Sequence, residues 1–201
     1  MTGDWPRDRE MNELWIVRHA ETEWSASGRH TSFTEVPLTE AGRAAAAALA
    51  PALARHRFGL VLTSPRLRAR DTAAAAGFPD AVVDDDLCEW NYGELEGLTT
   101  AEIRARGGAF DGWSIWRGPV PGGETIAQVS ARAERVLERV AGAHGDVLCF
   151  GHGHASRVLV AVALHLDPRA GARFALDPAT VNAVGSEHEE RALLAWNARP
   201  G

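Results

Sequence analysis

Four short stretches carry side chains able to do chemistry together. Leu14-Trp15-Ile16-Val17 is an apolar run of strand length that ends abruptly in Arg18-His19. Gly59-Leu60-Val61-Leu62 runs into Thr63-Ser64-Pro65, followed by Arg66, Arg68 and Arg70. Val147-Leu148-Cys149-Phe150-Gly151 ends in His152-Gly153-His154. Each reads as a buried strand that delivers polar groups to its carboxyl end, where open α/β sheets bind ligands. If the three strands are neighbours, at least two guanidiniums and two imidazoles meet in one crevice. Guanidinium forks match the oxygens of a phosphate, and an imidazole can attack phosphorus or carry a proton. The fourth stretch, Cys88-Glu89-Trp90, sets a carboxylate among apolar and aromatic residues. Such surroundings favour the protonated form and suit a proton donor.

The neighbouring polar groups invite plainer readings. His152 and His154 make a His-x-His pair, but no third ligand follows at a metal-site spacing, so neither a metal nor another cofactor is expected. His154 reads as a pocket wall or helix cap. Arg66 and Arg70 read as surface charges flanking Arg68, Asp84-Asp85-Asp86 as a solvated loop, and Glu21 and Glu94 as structural groups.

Composition narrows the partners. The net charge of −6 gives no overall attraction to nucleic acid or to an anionic membrane. All 21 basic residues are arginine, which excludes a Schiff-base lysine and a Walker-type lysine. Cys88 and Cys149 lie far apart, as in a reduced compartment. Residues 1–12 are polar and read as a flexible leader without a signal-peptide core, so a cytoplasmic protein is expected.

The elements that must position these groups alternate between strands and helices. Thr39 is a candidate N-cap for an alanine-rich helix running to about Arg55, which Pro51 should kink or end early. Pro65 should start a helix through about Ala76. A short strand falls near 81–83, and a short helix near 99–106. From about Gly123 a long amphipathic helix repeats Ile126, Val129, Ala133, Val136, Leu137 and Val140 at helical spacing. A helix follows His152 to Leu164, and two short strands near 181–184 and 192–196 close the chain. The loop 23–37 is long enough to expect a function. Residues 87–121, with Trp90, Trp113 and Trp116, read as an excursion forming a lid or wall. The expectation is one domain over 13–201, an α/β three-layer sandwich with a largely parallel sheet.

In this order the stretches resemble the motifs of the histidine phosphatase superfamily, the phosphoglycerate-mutase-like fold, from Leu14 to about Trp196. The family's Arg-His-Gly-Glu-Thr motif is similar to Arg18-His19-Ala20-Glu21-Thr22. Its Ser-Pro-x-x-Arg motif is similar to Ser64-Pro65-Arg66-Leu67-Arg68, its Glu-x-x-x-Gly-x-x-Glu-Gly motif to Glu89 through Gly97, and its Gly-His-Gly motif to Gly151-His152-Gly153. The resemblance implies that His19 is a nucleophile that becomes phosphohistidine. It implies that Arg18, Arg68 and His152 bind the transferring phosphoryl group and that Glu89 serves as acid and base. It further sets Ser25, Arg29, Thr31, Trp90 and Gly153 at the substrate. Ala20 departs from the usual glycine, and Ser25 stands where many members carry a phosphate-touching asparagine.

Mutases of this family carry a cation after the catalytic glutamate and another shortly after Glu-Gly; Trp90 and Thr100 stand there instead. The resemblance therefore favours a metal-independent phosphatase of the acid phosphatase and sedoheptulose-bisphosphatase-like branch, with a small phosphate monoester such as a sugar phosphate as partner. A homodimer is allowed for. A phosphoglycerate-mutase-type transferase and a non-catalytic phosphate-binding module are the alternatives.

Overall fold

Successive residues of the first strand face different hydrophobic clusters. In β1 (Leu14–Arg18), Leu14 and Ile16 join one buried cluster while Val17 joins another, the two-residue period of a pleated strand. A strand apolar on both faces belongs in the middle of three layers. A computed structural model describing residues 12–199 has that architecture. The leader expected over residues 1–12 falls, but for Asn12, outside the described residues. Asn12 itself is tied down, its amide donating to the carbonyls of Val140 and Ala143 at 2.9 Å each.

After β1 come α1 (Glu23–Ala26), α2 (Glu40–Ala48), α3 (Ala50–Leu53), β2 (Leu60–Thr63), α4 (Leu67–Ala75), β3 (Val82–Val83) and α5 (Thr100–Arg104). Then follow α6 (Ile126–Gly142), β4 (Val147–Gly151), α7 (Gly153–Ala163), β5 (Val181–Glu187) and β6 (Glu190–Ala198). The sheet order is β3-β2-β4-β1-β5-β6. The first four are parallel; β5 pairs antiparallel with β1, and β6 antiparallel with β5. One buried cluster gathers α6 and α7, the other α2, α3 and α4. β2, β4 and β1 are adjacent, so their polar ends converge as the sequence suggests. Arg18 lies level with Gly151, and Thr63 with Phe150.

Several elements differ from expectation for local reasons. The long loop contains α1, which Thr22 caps by accepting the Ser25 N–H. Pro51 sits in the first turn of α3 and divides the expected helix in two. Pro65 lies outside its helix: α4 starts at Leu67, whose N–H is taken by the Glu35 carboxylate at 2.9 Å. Thr125 caps α6 in a reciprocal pair with Gln128, so that helix starts past Gly123. Asp84 and Asp86 are not merely solvated; Arg139 pairs with both at 2.6 Å. The closing strands form a hairpin of 7 and 9 residues, whose distal part is too polar to read as strand from hydrophobicity. The excursion is a packed wall rather than a lid: Trp90, Tyr92, Leu95, Ile103 and Trp113 are buried in the core shared with α6 and α7.

Candidate active site

The loop after β1 carries His19, whose backbone N–H continues the ladder to Gly151 O at 2.8 Å. Its Nδ1 lies 2.8 Å from the Ala20 carbonyl. A carbonyl only accepts, so Nδ1 holds the hydrogen and Nε2 is left with its lone pair. Burial, then the charges of Arg18 and Arg68, push the imidazole pKa well below the ordinary value. His19 is thus neutral and oriented, with the Nε2 lone pair available. Ala20 fits without strain; it is fully buried, and its N–H donates to Thr72 Oγ1 at 3.0 Å.

Arg18, Arg68 and His152 surround this ring. Arg18 is held by the Leu176 carbonyl. Arg68, fully buried, spends its two Nη groups on the carbonyls of Thr31, Ser32 and Thr34 at 3.1–3.2 Å. His152 ends β4 with its ring 5.2 Å from that of His19 and its Nε2 2.7 Å from Ser64 Oγ. Ser64 Oγ also accepts the Arg66 N–H at 3.3 Å; with the Ser64 hydrogen turned to Nε2, His152 carries its own hydrogen on Nδ1. Arg18 Nε, Arg68 Nε and His152 Nδ1 are buried and have no hydrogen-bond partner among the described residues. Unpaired buried polar groups are costly, and here they cluster around one neutral imidazole. A tetrahedral oxyanion is the natural acceptor for such a set.

Glu89 comes from the excursion and is 7% exposed. The apolar setting expected for it is instead a ring of backbone donors. Oε1 accepts the N–H groups of Trp90 and Ala155 at 2.8 Å each, and Oε2 accepts that of His154 at 3.0 Å. These bonds dock the carboxyl on the first turn of α7. A Cβ placed on Gly153 would meet Arg18 Nε at 3.5 Å and Glu89 Oε2 at 3.6 Å, so these two groups flank that glycine. Oε2, with the single bond, is the less engaged oxygen.

A cavity of about 170 Å³ opens above these groups, lined among others by Arg18, His19, Ser25, Arg29, Thr31, Glu89 and Gly153. Arg68 and His152 lie buried beneath. Three of the expected substrate contacts are otherwise engaged. The Ser25 hydroxyl donates to the Thr22 carbonyl at 3.0 Å. Arg29 turns toward the Gly97 carbonyl at 2.6 Å and Glu102 at 3.3 Å. Trp90 faces away from the cavity; it is 1% exposed, its Nε1–H donates to Glu124 O, and its ring packs edge-on against Trp116. Its size and apolarity belong to the core, and its backbone N–H, not its indole, serves the site.

His154 and Arg157 are among the other residues that line the cavity. His154 presents a ring whose Nδ1 bonds the Tyr92 hydroxyl at 2.7 Å. Arg157, which sequence reading missed, lies over the Trp116 ring at 4.8 Å, with its Nε–H on the Gly171 carbonyl. Its i+4 spacing from Gly153 on one helix was the available signal. A different group of ligand-type atoms, from Glu13, His56 and Asp146, lies within 4.8 Å at the opposite ends of the strands. His56 and Asp146 pair there at 2.7 Å, and protein N–H groups hold both carboxylates.

Residues 14–199 match the profile of the histidine phosphatase superfamily (branch 1). The chain is 39% identical over 188 residues to an acid phosphatase of Mycobacterium tuberculosis, covering 90% of each. It is 37% identical over 177 residues to sedoheptulose 1,7-bisphosphatase of Saccharomyces cerevisiae, covering 73% of this chain and 65% of the yeast protein. A solved structure of a Mycobacterium tuberculosis open-reading-frame product superposes with a TM-score of 0.86 at 38% identity, covering 94% of this chain and 99% of the other. The chain belongs to the histidine phosphatase superfamily, branch 1, and is an enzyme of its phosphomonoesterase type.

Proposed function

We propose that the protein hydrolyses small phosphate monoesters through a phosphohistidine at His19, with arginine and histidine supplying the positive charge. The observation that carries this reading is the cluster of unpartnered buried donors, Arg18 Nε, Arg68 Nε and His152 Nδ1, around a neutral imidazole. His19 Nε2 attacks phosphorus, the P–O ester bond breaks, and Glu89 passes its proton to the departing oxygen. The Glu89 carboxylate then takes a proton from water, the hydroxide attacks phosphorus, and the P–N bond breaks to release inorganic phosphate. Positioning and electrostatics dominate phosphoryl transfer, and two guanidiniums with two imidazoles can provide both.

Sugar phosphates bearing a second anionic group are the substrate class this reading favours. Arg157 supports it, a further cation on the cavity wall, stacked on Trp116. The likeness to an acid phosphatase and a sugar bisphosphatase points the same way. Two features weigh against a mutase: the position after Glu89 is filled by the buried Trp90, and Thr100 Oγ1 bonds His30 at 3.2 Å.

The test is hydrolysis of p-nitrophenyl phosphate and a panel of sugar mono- and bisphosphates with excess EDTA, alongside His19→Ala. Turnover should survive EDTA, be inhibited by vanadate and disappear in the variant. EDTA-sensitive turnover restored by a divalent ion, or a His19→Ala enzyme of near wild-type kcat, overturns the proposal. Transfer from a bisphosphoglycerate primer to 3-phosphoglycerate outpacing hydrolysis would make the enzyme a mutase.

A further inference from the structure

The excursion that walls the site carries a carboxylate, Glu96, that does not line the cavity yet is bonded to the loop that holds Arg68. Glu96 follows the 3₁₀ turn Gly93–Leu95. Its Oε1 accepts the N–H groups of Ser32 and Thr34 at 2.9 and 3.1 Å, and its Oε2 accepts the Ser32 N–H at 2.8 Å and the Ser32 hydroxyl. Four bonds from one side chain thus curl residues 31–34 into a loop whose amides point outward to Glu96. The carbonyls of that loop point the other way. Those of Thr31, Ser32 and Thr34 are the ones that hold the Nη groups of Arg68.

This arrangement has a particular electrostatic effect. A carboxylate bonded directly to Arg68 would neutralise the guanidinium and compete with phosphate. Here the direct acceptors are neutral carbonyls, and the negative charge sits one peptide layer back. Arg68 is fixed by two of its nitrogens, keeps its net charge, and leaves its buried Nε without a partner among the described residues. The same knot reaches the acid's loop. Ser32 Oγ accepts the Tyr92 N–H at 3.4 Å, and the neighbouring backbone is stitched by His30 N–H to Leu98 O and Gly97 N–H to His30 O at 2.9 and 2.8 Å.

We infer that Glu96 is a positioning residue for phosphoryl binding, acting through the Thr31–Thr34 backbone to aim Arg68. The inference rests on the proposed role of Arg68 in binding the phosphoryl group. Glu96→Gln replaces one acceptor oxygen with an NH₂ that faces a donor, so the loop must shift.

A double-mutant cycle on the inhibition constant of orthovanadate, with thermal melts of each variant, separates positioning from general weakening. Glu96→Gln should raise that constant about tenfold in the wild-type background and leave it nearly unchanged in Arg68→Ala, as coupled residues do. Glu96→Asp, which keeps both oxygens, should recover part of the loss. If Glu96→Gln does not fold, Ser32→Ala takes its place in the cycle with the same expectation. An equal loss in both Arg68 backgrounds, or no loss at all in a folded variant, overturns the inference. A wild-type enzyme that neither binds vanadate nor turns over overturns the proposed function instead.

Discussion

Each group of the site is defined by what its other atoms already do. His19 gives its Nδ1–H to a carbonyl, so in the proposed reaction the attack falls to Nε2. Glu89 spends its lone pairs on three N–H groups and keeps one oxygen lightly bonded. Glu89→Gln should therefore lose roughly 10²–10⁴-fold in rate with a sugar phosphate, whose alkoxide must be protonated. With p-nitrophenyl phosphate the loss in the first step should be distinctly smaller. Rapid mixing should then show a burst of nitrophenol and an acid-labile phosphoenzyme on His19; equal losses without a burst would remove Glu89 from the role. Arg157→Ala tests the second anionic contact. A charged hydrogen bond contributes about 1.5–3 kcal/mol, so kcat/KM for a bisphosphate should fall roughly tenfold to a hundredfold while p-nitrophenyl phosphate is spared. Both substrates falling together would place Arg157 in the socket itself.

At the scale of elements, the loop after β1 depends on one close approach. A Cβ on Gly42 of α2 would lie 2.2 Å from the Glu21 carbonyl oxygen. Glu21 also accepts the Thr39 hydroxyl, the cap of α2, at 2.8 Å. Gly42→Ala should push α2 off the His19 loop, at a cost of about 1–3 kcal/mol. The melting temperature should drop by about 2–4 °C per kcal/mol, and kcat should drop with it; an unchanged melt would show that the helix moves freely. The strands and the groups at their ends were legible because both the apolar runs and their abrupt polar stops are local signals. Trp90 was misread because adjacency in sequence to Glu89 says nothing of which way a side chain turns in an irregular segment. Arg157 went unread, and Glu96 was seen as a motif position without a role, for a related reason: one lies along a helix face and the other bonds a distant backbone loop. The polar half of the β5–β6 hairpin is held by its ladder rather than by burial, so hydrophobicity missed it.

Over the whole molecule, buried imidazoles make acid a stress. Burial, reinforced by neighbouring charges at the first three, lowers the pKa of His19, His152 and His154, and burial also lowers that of His30. The unfolded chain takes up these protons near pH 6.5, the folded one only further down. The stability they contribute is complete above 6.5 and is lost as pH falls from there through the folded values. Each fully buried histidine contributes up to about 1.4 kcal/mol per pH unit across its window. Melting temperatures should therefore decline from pH 7 to pH 5, and more shallowly in a His152→Gln variant. A flat or rising profile would mean that the imidazoles are already charged in the fold. Over the same range the activity should persist below 6.5, because His19 stays neutral there.

The unpartnered donors around His19 tie these two behaviours to each other. A fold that leaves Arg18 Nε, Arg68 Nε and His152 Nδ1 without acceptors among the described residues is stabilised by whatever anion accepts from them, by RT ln(1 + [L]/Kd). Anion and proton are then heterotropic partners: inorganic phosphate raises the proton affinity of the two central histidines, and protons tighten the grip on phosphate. The reaction product becomes a ligand that holds the native state together, most strongly at the acid pH where the empty fold is weakest.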